Sequence, residues 1–154
     1  MTKPDISVIY LGTDHVGFEL KETVKKHLED EGFEVEDKGA YWYDGEDDYP
    51  DFVFPVAKVV SRDLNSRGII FGGSGQGEAI CANRIKGIRA VVYYGGMEEI
   101  VQLSREHNNA NILSLGARFL TSDIAVKVVD LWLKTDFKGE RHIRRVLKID
   151  QPSD

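Results

Sequence analysis

A single cysteine, Cys81, stands among 154 residues. No intramolecular disulfide can form, and such a chain suits a reducing compartment. Long apolar runs are missing too. Met1–Leu11 holds one lysine and a brief apolar stretch, which makes neither a signal peptide nor a membrane span. Positive charge is in deficit: 20 Lys and Arg against 26 Asp and Glu leave a net charge of −6. That balance argues against general binding to nucleic acid or to a membrane surface. One local exception, Arg141–Lys148, is basic enough to hold a small anion. There is no repeat, low-complexity stretch or interdomain linker. The expectation is one cytoplasmic domain covering 1–154.

What the chain does contain is alternation of two periods. Hydrophobic residues at 42% are enough for an ordinary packed core. Ile6–Leu11 is apolar and partly β-branched, and reads as a strand. Phe18–Glu31 carries Leu20, Val24 and Leu28 at helical spacing, and Gly32 ends it. Phe33–Glu36 alternates as a second strand, and Ala40–Pro50 is a polar, acidic loop. Asp51–Leu64 reads as a helix, with Pro55 tolerable only near its first turn. Gly68–Phe71, Ile88–Tyr94 and Asn111–Leu115 read as strands, and Gln76–Ile85 and Met97–His107 as helices. Thr121–Lys134 is a helix opened by a Thr/Ser/Asp cluster, and Glu140–Lys148 a short basic one. Strands separated by helices predict an α/β fold: a three-layer α/β/α, Rossmann-like arrangement on a five-stranded parallel sheet.

The densest signal is Arg67-Gly68-Ile69-Ile70-Phe71-Gly72-Gly73-Ser74-Gly75-Gln76-Gly77-Glu78. An apolar strand runs into glycines, whose N–H groups can converge on an anion without Cβ atoms in the way. The loop is not a Walker A motif, because Glu78 stands where the lysine belongs. Nor is it a dinucleotide fingerprint, since no carboxylate follows near Tyr93 and Tyr94. An anion site with a carboxylate beside it suggests chemistry, with Glu78 as proton carrier. The plainer alternative is a tight turn with Glu78 as a first-turn acid. Cys81, in the following helix, reads as a small buried hydrophobe.

In a parallel sheet, ligands bind at the carboxyl ends of the strands. The first strand ends at Gly12-Thr13-Asp14-His15-Val16-Gly17, the third at the glycine loop and the fifth at Gly116-Ala117-Arg118. Arg105-Glu106-His107-Asn108-Asn109 ends a helix instead, which puts it at the opposite edge of its own sheet. His107 therefore serves a neighbouring subunit's pocket, or the boundary is misplaced.

Taken together, these segments resemble the type B ribose-5-phosphate isomerases and their galactose- and allose-6-phosphate isomerase relatives. The matching pieces are Thr13–Lys21, Asp48–Phe52, the Gly73–Gly77 loop with Ala82-Asn83-Arg84, Ser104–Asn111, Leu115–Arg118 and Arg141–Arg145, in order along nearly the whole chain. Many members carry a catalytic cysteine just before the glycine loop, where this chain has Gly72. The chain resembles a subgroup that uses a glutamate directly after the loop, here Glu78.

The resemblance implies an aldose–ketose isomerase acting on a sugar phosphate through an enediolate, with no metal and no cofactor. Ribose 5-phosphate is the leading substrate. A six-carbon sugar phosphate, or a non-catalytic sugar-phosphate binder, is the alternative. It implies Glu78 as base, and Ser74 with the Gly73, Gly75, Gln76 and Gly77 loop as enediolate holder. Asp14 and His107 would assist ring opening. His15, Tyr49 and Asn108 would contact the sugar phosphate. Arg118, Arg141 and Arg145 would clamp the phosphate, since a guanidinium fork fits its oxygens and residues four apart share a helix face. His15, His27, His107 and His142 look scattered, with no compelling metal-ligand set. The implied assembly is a homodimer, or a tetramer built from it, with sites shared between subunits. Each role has a plainer counterpart: helix caps for Asp14, His15 and Asn108, a dipole partner for His107, and a solvated basic face for the arginines.

Overall fold

A computed structural model describes residues 4–153. The first three residues of the stretch read as lacking a leader, and Asp154, lie outside the described residues. The strands are β1 (Ile9–Thr13), β2 (Val35–Asp37), β3 (Arg67–Gly72), β4 (Ala90–Tyr93) and β5 (Ile112–Gly116). The helices are α1 (Phe18–Asp30), α2 (Pro50–Val60), α3 (Gln76–Ala82), α4 (Glu99–Glu106), α5 (Ser122–Lys134) and α6 (Arg141–Asp150), with a 3₁₀ turn at Ala117–Phe119. All strand pairs are parallel, in the order β2-β1-β3-β5-β4.

Side chains alternate across a strand, so each central strand feeds two cores. Ile69 and Phe71 of β3, with Leu113 and Leu115 of β5, meet α1, α4 and α5 through Leu20, Val24, Val101, Val128 and Trp132. Ile70 and Ile112 face the other way, onto Val53, Val56, Ala57 and Val60 of α2 and Cys81 and Ala82 of α3. Helix α6 stands apart from both cores and is tied to the start of β4 by Arg89 Nη1, which donates to Asp150 at 2.9 and 3.0 Å. No helix among the described residues is long and apolar enough to cross a membrane.

The alternating architecture is as the sequence predicts, but several ends move. Strand β1 starts three residues late and runs through Thr13, whose hydroxyl lies 3.1 Å from the Phe71 carbonyl oxygen and so is satisfied inside the sheet. Helix α2 starts at Pro50 and ends at Val60, four residues short of the expected end. Pro50 takes the first position, where its missing N–H costs nothing, and Pro55 sits in the helix interior. Helix α3 stops at Ala82 rather than Ile85. Helix α6 extends to Asp150, the residue that Arg89 holds.

Candidate active site

The carboxyl ends of β1, β3 and β5 lie side by side, with Thr13 opposite Phe71 and Gly72 opposite Gly116. The glycine loop springs from the middle of this edge. Gly75 adopts φ +79, a left-handed conformation that disfavours a side chain. Its carbonyl accepts a 2.7 Å hydrogen bond from buried Ser114 Oγ, which fixes the loop from beneath. Ser74 Oγ accepts the Gln76 N–H at 3.3 Å, and Arg118 N–H reaches the Gly73 carbonyl at 3.1 Å. The first N–H groups of the helix behind have no intrahelical partner.

Glu78 turns back over this loop. Its carboxylate occupies the space that a Cβ on Gly72 would need. Any side chain at position 72 therefore competes with Glu78 for one volume. Glu78 is 4% exposed. Burial raises its pKa above the ordinary carboxylate value, and negative charge on Asp14 adds to the rise. A hydrogen bond from its own backbone N–H opposes the rise but is outweighed. Asp14, at the end of β1, is also buried, and that burial raises its pKa despite the Val16 and Gly17 N–H groups. Val16 N–H donates to Asp14 Oδ1 at 3.0 Å.

Around this pair stand other residues singled out by sequence. The Tyr49 phenol lies over Gly77, where a Cβ would strike it. The Arg118 guanidinium lies over Gly73, 3.2 Å from where a Cβ would be. His15, next to Asp14, is held by a residue that sequence reasoning missed. Asp47 Oδ1 accepts both the His15 backbone N–H at 2.9 Å and Nδ1 at 2.7 Å. That carboxylate raises the His15 pKa. Asp14, His15 and Asp47 can bring one ligand atom each within 4.8 Å of one another, so the histidines are less scattered than they look in sequence.

His107, Asn108, Arg141 and Arg145 lie elsewhere. Asn111, four residues after His107, accepts from the N–H of Gly68 at the start of β3. Glu78 covers Gly72 near its end. Four strand steps, about 13 Å of sheet, separate those two levels. His107 caps α4 and stacks on His142 of α6, with ring centroids 4.3 Å apart and planes 14° apart. Two of the four histidines are thus in contact. Arg141 and Arg145 are both exposed on α6. Asn109, not Asn108, takes the left-handed position after α4, at φ +49. Arg105 Nη1 holds its side chain at 2.9 Å and the Ala110 carbonyl at 2.6 Å. Desolvation lowers the Arg105 pKa to about 10. Asn108 itself lines a cleft of about 800 Å³ with Arg84, Arg89, Ile149 and Asp150. This cleft is therefore at the second edge, away from Glu78.

Residues 9–149 match the family model described as Ribose/Galactose Isomerase. The chain belongs to that family. It is 44% identical over 139 residues to ribose-5-phosphate isomerase B of Mycolicibacterium paratuberculosis, covering 90% of this chain and 86% of that one. Among solved structures, ribose-5-phosphate isomerase B of Mycoplasma genitalium with bound ribulose-5-phosphate superposes with a TM-score of 0.90 at 40% identity. That match covers 95% of this chain and 96% of the other. The Clostridium thermocellum ribose-5-phosphate isomerase B gives a TM-score of 0.88 at 43% identity, covering 94% and 95% of the two chains. The fold and family expected from sequence are those found.

Within the isomerase fold, this one chain gathers Asp14, His15, Tyr49, Gly73–Gly77, Glu78 and Arg118 at one edge. It carries His107, Asn108, Arg141 and Arg145 at the other. Asp47 is the addition. Its signal in the sequence was only that of an acidic loop, because its partner His15 is 32 positions away.

Proposed function

We propose that this protein interconverts ribose 5-phosphate and ribulose 5-phosphate in the cytoplasm, through an enediolate and without a metal. The observation that carries the reading is the buried Glu78 carboxylate, standing over Gly72 at the mouth of the glycine loop. A base must be unprotonated yet bind a proton well, and burial strengthens the proton affinity of Glu78 for that purpose. Glu78 takes the proton from C2 of the open aldose. Electrons move from the C–H bond through C2 and C1 to O1, giving the enediolate. The proton returns to C1, O2 becomes the carbonyl oxygen, and the O2 proton passes to O1. Ser74 and the loop N–H groups hold the charge on oxygen.

The rest of the site comes from two chains. Asp14 of one copy and His107 of a second move the ring-opening proton between the ring oxygen and the anomeric hydroxyl. Imidazole suits that step because one ring nitrogen can donate a proton while the other accepts one. Asn108 of the second copy binds a sugar hydroxyl, and Tyr49 lines the wall. The phosphate is clamped by arginine forks from Arg118, Arg141 and Arg145. That the two groups lie at opposite edges of one chain's sheet supports a homodimer with shared pockets.

Turnover of ribose, galactose and allose phosphates by purified protein tests the reading. The expected result is the highest kcat/KM with ribose 5-phosphate. Better turnover of a hexose 6-phosphate would overturn the pentose preference. Binding with no turnover of any of them would make the protein a sugar-phosphate binder instead.

A further inference from the structure

The acidic loop between β2 and α2 forms part of the wall of this edge. Lys21, fully buried on α1, anchors its start: Nζ donates to the Ala40 carbonyl at 2.6 Å and to both Asp37 oxygens at 2.8 Å. Its far end delivers Tyr49 to Gly77. Between them, Asp47 turns inward, with its side chain 8% exposed, an unusual place for a carboxylate in a loop otherwise mostly solvated. One oxygen, Oδ1, takes both the backbone N–H and the Nδ1 of His15. The other, Oδ2, is buried with no hydrogen-bond partner among the described residues. A buried carboxylate with an idle oxygen is costly, so the bond to His15 is its main local compensation. The Tyr43 ring meets the imidazole edge-on, with centroids 6.0 Å apart, and limits its rotation.

We propose that Asp47 is a positioning residue of the isomerase site, which fixes the His15 ring through Nδ1 and leaves Nε2 as the atom offered to an oxygen of the sugar phosphate. The inference rests on the isomerase reading above. A carboxylate on Nδ1 makes that nitrogen the donor, so the neutral ring presents an acceptor at Nε2 and the charged ring a second donor. The charged groups facing His15 are Asp14 beside it and Asp44 and Asp47 from the loop, and all favour the imidazolium. His15 therefore stays a donor toward substrate oxygen to higher pH than an isolated histidine.

Asp47→Asn tests this, because asparagine keeps a carbonyl oxygen for both bonds and removes only the charge. The first measurement is the His15 titration by ring nitrogen NMR in substrate-free protein. The midpoint is expected to fall toward the ordinary histidine value. The second is kinetics with ribose 5-phosphate. KM is expected to rise about tenfold, the size of one charge-assisted hydrogen bond weakened to a neutral one, with a smaller change in kcat. The alkaline fall of kcat/KM should move to lower pH by the same interval as the NMR midpoint. The third is the cycle with His15→Asn, in which adding Asp47→Asn should cost nothing more. An unmoved His15 midpoint, or an equal loss in the His15→Asn background, would overturn the proposal. If Asp47→Asn does not accumulate folded, Asp47→Ser carries the same three measurements. The NMR arm needs no substrate, so its failure counts against Asp47 alone. Absence of turnover by the unaltered protein would count against the isomerase reading.

Discussion

For Glu78 as the proposed base, burial has two consequences of opposite value. Glu78→Gln keeps the shape and removes proton acceptance, so kcat with ribose 5-phosphate should drop about a hundredfold or more while substrate still binds. Near-normal kcat would place the base elsewhere. The same substitution should stabilise the fold at neutral pH. A carboxyl whose folded pKa is raised binds its proton more tightly folded than unfolded, so stability falls as pH rises from the unfolded value through the folded one. Glu78→Gln removes that loss, and its Tm should exceed that of the unaltered protein at pH 7 while the difference fades below about pH 4. A Tm gap that persists unchanged into acid would refute this account. A chelator should leave turnover intact despite the Asp14, His15 and Asp47 cluster, and activity restored to a chelated sample by one divalent ion would refute the metal-free route. The loop around Glu78 was legible in sequence because glycine spacing and strand-to-helix order are local. Asp47 was not, because nothing in the spacing of Asp44, Asp47 and Asp48 tells which of them turns inward.

Whole elements were easier to read than their ends. The helical period of Leu20, Val24 and Leu28 and the apolar run of β3 fixed type and order, since both answer to burial. The ends answered to contacts between distant residues. Thr13 joined β1 through the Phe71 carbonyl, and Asp37 joined edge strand β2 because Lys21 neutralises it. That last contact ties α1, β2 and the loop after β2 into one unit. Lys21→Ala should cost about 3 kcal/mol in urea unfolding, because it strands a mostly buried carboxylate that Lys25 serves only at 3.2 Å. A loss well under 1 kcal/mol would mean that Lys25 alone suffices. The placement of α4's end at the far edge was also legible, from the rule that a helix following a parallel strand returns to the sheet's starting side. What that edge does was not, because its second contributor, α6, sits 34 positions after His107 in sequence and meets it through the His107–His142 stack.

At the scale of the molecule, the two edges test the shared pocket directly. Glu78→Gln and a variant with Arg141 and Arg145 both changed to Ala should each be nearly inactive alone. If base and clamp come from different chains, a mixed dimer regains one intact pocket. Random exchange at equal amounts should then restore about a quarter of the unaltered activity, because half the dimers are mixed and each has one good pocket of two. No recovery after demonstrated exchange would put base and clamp in one chain. Shared pockets would also tie catalytic output to abundance. Dilution below the dimer Kd would remove pockets in step with the monomer fraction, and substrate that touches both chains would draw them back together by mass action. Activity per molecule would then climb with enzyme concentration, and a cell with little of this protein would gain more than proportionally by making more.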